Sequence, residues 1–545
     1  MSRRTSVLRA GLTSAAGLVG IGVSGAVVLA LCEIPFPVLA GTPVSMTVDP
    51  TASTAVRVCP GPLVSVQTRD GDATSFVGFQ APDVVSASSN DPVSETYLGL
   101  TDASNENGKL APLALSVEPP ADGTIPLISG VQSQSVVTDE MAGLAVTPCV
   151  EPEAESWLVG GASDLGQTTV VNLSNASTTD ASVHIEVFGE KGRVDPTGSN
   201  DIVVRAGTQS LVSLASLAPD LASPVVHVTS SGGSIATSLQ QTLVRTIVPS
   251  GVEIVEPGSG PNTTQVIAGV RLTGMAQFSD SEGGTVSSDE EPTVRVLAAG
   301  EAPSDVVVTT IAEDGTTTEV KTTVPVGTVL QLPFNAVPDG TYTVVVTGTT
   351  PIVAAVRSVV ASAANPFADV ISTPGATSSP GASSTPGSTS IPTSTPALQA
   401  NPMDGIVDGG GIPIDGVAVG PAPAPVPVAQ STVTGGDFAW YASTSSLSAT
   451  TLVAIAATEF AQLTLFNSGT EKQQVSVTSN AGQDESFSLE PGRFSVLDVV
   501  PGNVYQIEGG SGLRAGVTYG GVGLISSATV RAPSKLGSAI LVYPR

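Results

Sequence analysis

Four stretches of this chain repeat one order of short strands, and that order limits the fold more than any single motif does. The opening strand reads Gln167-Thr-Thr-Val-Val-Asn-Leu-Ser-Asn175 in one copy, Pro292-Thr-Val-Arg-Val-Leu-Ala-Ala-Gly300 in another and Ala461-Gln-Leu-Thr-Leu-Phe-Asn-Ser-Gly469 in a third. A weaker copy reads Ser53-Thr-Ala-Val-Arg-Val-Cys-Pro-Gly61. Apolar and polar residues roughly alternate and then stop at Asn, Ser, Gly or Pro, as in a half-buried strand entering a turn. The clear copies continue alike, through Ser182–Val187, Asp305–Thr309 and Gln474–Thr478, then strands led by Gly207, Gly327 and Gly492. A further strand holds Val225–Val228, Tyr342–Val346 or Val504–Ile507, and a segment led by Gly233, Pro351 or Gly512 closes the unit. Glu140–Val146 is read as the closing segment of the weaker copy.

Units of about 90–110 residues, built of short strands between turn signals, predict an all-β fold of several tandem antiparallel β-sandwich modules of immunoglobulin or fibronectin type. A β-propeller is the alternative. The expected modules span residues 42–150, 151–250, 262–362 and 437–545. Residues 364–436 interrupt them with Thr-Pro-Gly and Ser-Thr-Pro repeats and Pro421-Ala-Pro-Ala-Pro-Val-Pro427. That composition cannot bury a core and predicts an extended linker.

Residues 1–41 read as a signal peptide or signal anchor. Arg3, Arg4 and Arg9 precede an uncharged run over residues 10–31, long enough to span a bilayer as a helix. The bulk of the chain is therefore expected outside the cytoplasm, secreted or held by a single-pass helix, which is its one expected contact with membrane. The net charge of −28 excludes a nucleic-acid partner, which needs a cationic face. Cys59 and Cys149, beyond the apolar run on the oxidising side, predict a disulfide.

Signatures of chemistry are sparse. There is no Walker A loop, dinucleotide fingerprint, EF-hand or zinc spacing, and no cofactor, metal or catalytic residue is expected. His184 and His227, the only histidines, fall on two strands of one module and read as packing residues. Trp157 and Trp440, the only tryptophans, each precede an opening strand and read as core anchors. With Tyr441 they are also the candidate platform for stacking on a sugar ring.

Arg57-Val-Cys-Pro-Gly-Pro62, Cys149 ahead of Trp157-Leu-Val-Gly-Gly161, and the strand ending Asn172-Leu-Ser-Asn175, together with the Arg-rich apolar start, resemble a family of large secreted or membrane-anchored actinobacterial proteins of unknown function. The resemblance implies an envelope-associated role and supplies no reaction. The expected function is a non-catalytic extracytoplasmic envelope protein for adhesion, scaffolding or polymer binding, with cell-wall polysaccharide or another envelope protein as partner. The alternatives are a carbohydrate-binding accessory in wall glycan assembly and a secreted hydrolase.

Overall fold

In the computed structural model of the chain, residues 46–48, 53–69, 73–89, 92–101, 110–121, 124–194, 198, 201–276, 291–334, 337–362, 418–419, 435–532 and 540–542 are described. The apolar run over residues 10–31 lies outside them. Among the described residues no helix is long and apolar enough to cross a membrane. Two compact units are present. In the small one, β1 (Met46–Val48) pairs antiparallel with the last strand, Ile540–Val542. The other runs from Thr51 to Lys535 and holds all four repeats.

The fold is all-β, as expected, with one helical turn, α1 (Leu214–Leu217), among the described residues. The first repeat comprises β2 (Ala55–Cys59), β3 (Val64–Arg69), β4 (Ala73–Gly78), β5 (Asp83–Ser88), β6 (Ser94–Tyr97), β7 (Gly99–Leu100), β8 (Leu113–Val117), β9 (Ile128–Val137) and β10 (Ala142–Pro148). The second comprises β11 (Glu155–Val159), β12 (Gln167–Asn175), β13 (Ala181–Gly189), β14 (Gly192–Val194), β15 (Ile202–Val204), β16 (Thr208–Ser213), β17 (Val225–Ser231), β18 (Ala236–Arg245) and β19 (Val248–Val255). The third holds β20 (Asn262–Leu272), β21 (Thr293–Ala298), β22 (Ser304–Ala312), β23 (Thr317–Val324), β24 (Val329–Pro333) and the long β25 (Gly340–Val360). After β26 (Ala418–Val419) it ends with β27 (Asp437–Ala442). The fourth runs through β28 (Thr450–Ala454), β29 (Phe460–Asn467), β30 (Gln473–Ser479), β31 (Asp484–Leu489), β32 (Phe494–Asp498), β33 (Val504–Glu508), β34 (Leu513–Gly521) and β35 (Leu524–Thr529), before β36 (Ile540–Val542).

One connectivity recurs in all four. In the fourth repeat the first, sixth, third and fourth strands form one sheet, β28-β33-β30-β31, and the fifth, second, seventh and eighth form the other, β32-β29-β34-β35. The second repeat matches it with β11-β17-β13-β14 and β16-β12-β18-β19. In the third, the sixth and seventh strands are fused: the first half of β25 pairs with β20 and β22, the second half with β21 and β27. The first repeat keeps β2-β8-β6 and β5-β9-β10, with the β3–β4 hairpin inserted after its first strand. Alternating valines and leucines of the paired sheets meet in shared cores, such as Leu173 and Leu239 against Ile185 and Val228. The repeats are therefore sandwiches. In an immunoglobulin-type sandwich the seventh strand lies beside the sixth; here it lies beside the second. A propeller blade is a single four-stranded sheet, whereas the first, second and fourth repeats each have two sheets and the third has seven strands joined through β25. The connectivity is thus neither of the two that the sequence suggested.

Two further readings change. Ala55–Cys59, aligned above with the opening strands, is a first strand; their counterpart in the first repeat is β5. Asp437–Ala442, assigned above to the C-terminal module, closes the third sandwich, with Asp437 directly opposite Val360. The chain therefore leaves the third sandwich after Val360 and re-enters it at Asp437.

The eighth strands bring the sandwiches together: β10 packs on β19, β19 on β27, β27 on β35 and β35 on β10, closing a ring. The cores merge around it. Leu144 and Val146 join the core of the fourth sandwich, Trp440 that of the second, and Ile525 that of the third.

Candidate functional site

On the axis of the ring lies a fully buried carboxyl group, Asp437. It accepts the backbone N–H of Leu144 (2.9 Å), Ile525 (3.2 Å) and Phe438 (3.0 Å), and that of Val252 as well. These four N–H groups occupy equivalent positions on β10, β35, β27 and β19, so each sandwich contributes one. Glycines make the approach possible. A Cβ on Gly143 would lie 2.7 Å from Asp437 Oδ1, and one on Gly251 would lie 2.4 Å from Phe438 Cδ1. One step along the axis, Ser526 Oγ is 2.9 Å from both oxygens of the buried Glu253 and accepts the Val146 N–H at 2.8 Å. Burial pushes both carboxyls well above the usual range, and the neighbouring Asp437 charge adds to the effect on Glu253. Asp437, with four N–H donors, is the better seat for any charge the pair retains. This arrangement holds the ring closed and has no opening for a substrate.

The sequence-derived site residues are spread over the molecule. Cys59 and Cys149 form the expected disulfide, with Cα atoms 4.1 Å apart, linking the first strand of the first sandwich to the end of its last. Trp440 and Tyr441 are 2% and 3% exposed, and Trp157 is 8% exposed. The three do not form a common face: Trp440 lies in the core of the second sandwich and Tyr441 in that of the third. Burial of all three argues against a stacking platform. Trp440 donates Nε1–H to Gln241 (2.7 Å) and lies under the Arg295 guanidinium at 4.5 Å. Arg295 is itself buried, and bonds to the carbonyls of Gly161, Pro224 and Ala222 tie the third sandwich to the second. Burial, with the nearby Arg357 charge, lowers its pKa to about 9.

Both histidines lie on the outer face of β13 and β17. His227 stacks on Trp157 at 3.9 Å between ring centres, and its nitrogens lie 2.8 Å from Glu186 and 3.0 Å from Glu155. Arg193 reaches Glu186 at 2.7 Å. Burial pushes Glu186 up, but the His227 hydrogen bond and the Arg193 charge outweigh it and hold this carboxyl below its ordinary value. Sequence reasoning missed Glu155 and Glu186, although the alternation His184-Ile-Glu186-Val-Phe188 already places Glu186 on the face of His184. His227 is committed to this ion-paired cluster and has no serine hydroxyl among its hydrogen-bond partners here.

A polar cleft of about 460 Å³ opens between the third and fourth sandwiches. Arg271, Glu313, Asp314, Asp339, Tyr342, Gln462 and Asp498 line it. Arg271 donates to Thr341 Oγ1 (3.1 Å), and Gln462 to Asp498 (2.9 Å). Asp339 accepts the N–H groups of Gly274 and Met275. Arg493 closes one margin through the Asp314 carbonyl, at 2.9 Å. All four carboxylates are exposed, so none occupies the apolar seat that a general acid requires. Neither histidine lines the cleft. No group of three or more His, Cys, Asp or Glu among the described residues could hold a metal ion.

No curated protein and no solved structure matches the chain significantly. A family model does match, over residues 103–400, which is more than half of the sequence and takes in the second sandwich and the third as far as β25. By that match the chain belongs to DUF5719, a family of unknown function.

Proposed function

We propose that this protein is a non-catalytic, extracytoplasmic component of the cell envelope, and that the cleft between the third and fourth sandwiches holds a hydroxyl-rich wall polymer. The cleft carries the reading. It is open, and its lining of exposed carboxylates, an amide, a phenol and a guanidinium offers many hydrogen-bonding groups and little apolar surface, which suits sugar hydroxyls. The disulfide supports an oxidising compartment. The chemistry-bearing groups elsewhere hold the fold together: His227 is clamped between two carboxylates and Asp437 between four sandwiches.

The test is retention of the full-length protein, in detergent, on isolated wall polysaccharide and on peptidoglycan. Gln462→Ala and Asp498→Ala should each weaken retention at least fivefold, and Trp157→Ala should leave it unchanged. Equal retention by the cleft variants, no retention on either polymer, or release of soluble sugar fragments would each defeat the proposal.

A further inference from the structure

In three of the four sandwiches the second strand is flanked by the sandwich's own fifth strand: β12 by β16, β21 by β24 and β29 by β32. The first sandwich departs from this. After β6 its chain runs away as β7, which adds in parallel to β16 of the second sandwich, with Gly99 N–H donating to Gly207 O at 2.8 Å. Among the described residues, no other strand lies between β7 and β8. The edge of β5 would then be open at Ser88, 0% exposed, whose N–H and C=O face away from β9 and would be costly unpaired. The structure fills this edge from far along the chain. β26 pairs antiparallel with it, Ala418 opposite Ser88 and Val419 opposite Ala87.

The local sequence fits that role. Within a Pro- and Gly-rich stretch, Gly416-Val-Ala-Val-Gly-Pro421 offers three small apolar residues bounded by turn formers.

We propose that the edge of β5 is an acceptor site for an extended peptide strand with small apolar side chains, and that the chain's own segment, through Ala418 and Val419, is its resident occupant. The loop that leaves and re-enters the third sandwich is thereby fastened to the first, and the recognition is strand addition to a sheet edge.

The experiment uses the full-length protein. Ser88→Cys with Ala418→Cys should close a disulfide within one molecule under mild oxidation. Ser88→Cys with Ala397→Cys, which places the second thiol elsewhere in the loop, should not. Equal closure of both pairs, no closure of the first, or closure only between two molecules would overturn the assignment. In a second arm, Ala418→Pro with Val419→Pro removes both N–H groups of the occupant. Hydrogen exchange at Ser88, whose N–H faces β26, should then rise at least tenfold while exchange at Ala87, whose N–H faces β9, and in β12 and β16 holds, and a synthetic peptide of residues 414–422 at millimolar concentration should restore the protection. Unchanged exchange at Ser88, or no restoration by the peptide, would refute the acceptor site.

Discussion

Replacing Asp437 with alanine should cost far more than a side chain of its size suggests. The change leaves three N–H groups from other sandwiches, those of Leu144, Val252 and Ile525, buried without their acceptor. Each stranded group costs roughly 1–3 kcal/mol, or about 3–9 together. The variant escapes the desolvation of a buried carboxyl, an offset of several kcal/mol. A net loss of about 2–5 kcal/mol follows, a large share of the roughly 5–15 kcal/mol that holds a typical domain. Urea unfolding followed by tryptophan fluorescence is the assay, since Trp440 lies three residues along the same strand. The midpoint should fall with the slope unchanged. Gly143→Ala gives an independent check, because its Cβ would crowd Asp437 Oδ1 and Val252 N, each at 2.7 Å. Without the carboxylate one of the two clashes disappears. Gly143→Ala should therefore cost less in the Asp437→Ala background, by a coupling of about 0.5–3 kcal/mol. A loss below about 0.5 kcal/mol for Asp437→Ala, or strict additivity of the two changes, would refute the view that one carboxyl holds four sandwiches.

Glu253 should make the protein less stable as pH rises. Its folded pKa lies well above the ordinary 4.5, so the folded state keeps a proton that the unfolded state releases. Its contribution is whole below that ordinary value and drains as pH climbs toward the raised one. Glu253→Gln should flatten the curve of urea midpoint against pH over this window, and a variant curve parallel to the wild type would contradict the reasoning. Cys59→Ser with Cys149→Ser opens a disulfide between positions 90 residues apart, at a cost of about 4–5 kcal/mol in the chain-entropy model; a midpoint like that of the oxidised wild type would count against a structural role. Residues 103–400 alone lack β2, β5, β27 and the whole fourth sandwich, so they should show no cooperative thermal transition and should bind a hydrophobic dye. A sharp two-state melt of that fragment would mean that the ring is not the folding unit.

What the sequence disclosed follows from the range of each signal. Strand alternation is local, so the all-β class and the strand order of the three clear repeats could be read directly. The weaker repeat was misaligned because the β3–β4 hairpin separates its first and second strands. Its true counterpart of the Val170-Val-Asn-Leu-Ser-Asn175 strand is Val84-Val-Ser-Ala-Ser-Ser-Asn90, which carries the same ending. The composition of residues 364–436 said that they build no core. It held nothing about Val360 facing Asp437, because the partner of a strand edge is a tertiary property. Trp157 and Trp440 lie in the core, as their places before the opening strands suggest, but the partners that seat their polar handles in the interior, Gln241 for Trp440 for example, are not revealed by periodicity.

The axis explains why the last strands of the repeats differ in sequence although they occupy equivalent places in the ring. Four equivalent strands meeting around a line present four equivalent N–H groups to it, and the space between them admits one acceptor. A strictly repeated sequence would place four carboxylates there, or none. Symmetry in the backbone therefore requires asymmetry in the side chains. One copy supplies Asp437, two equivalent positions shrink to Gly143 and Gly251, and in the next layer Glu253 of one copy meets Ser526 of another across the axis. The degeneracy that hid the eighth strand from a search for repeats is thus the condition on which four of them can share a centre. An acidic residue standing where two sister copies carry glycine, in an otherwise apolar strand, is the local trace that such a shared centre leaves in a sequence.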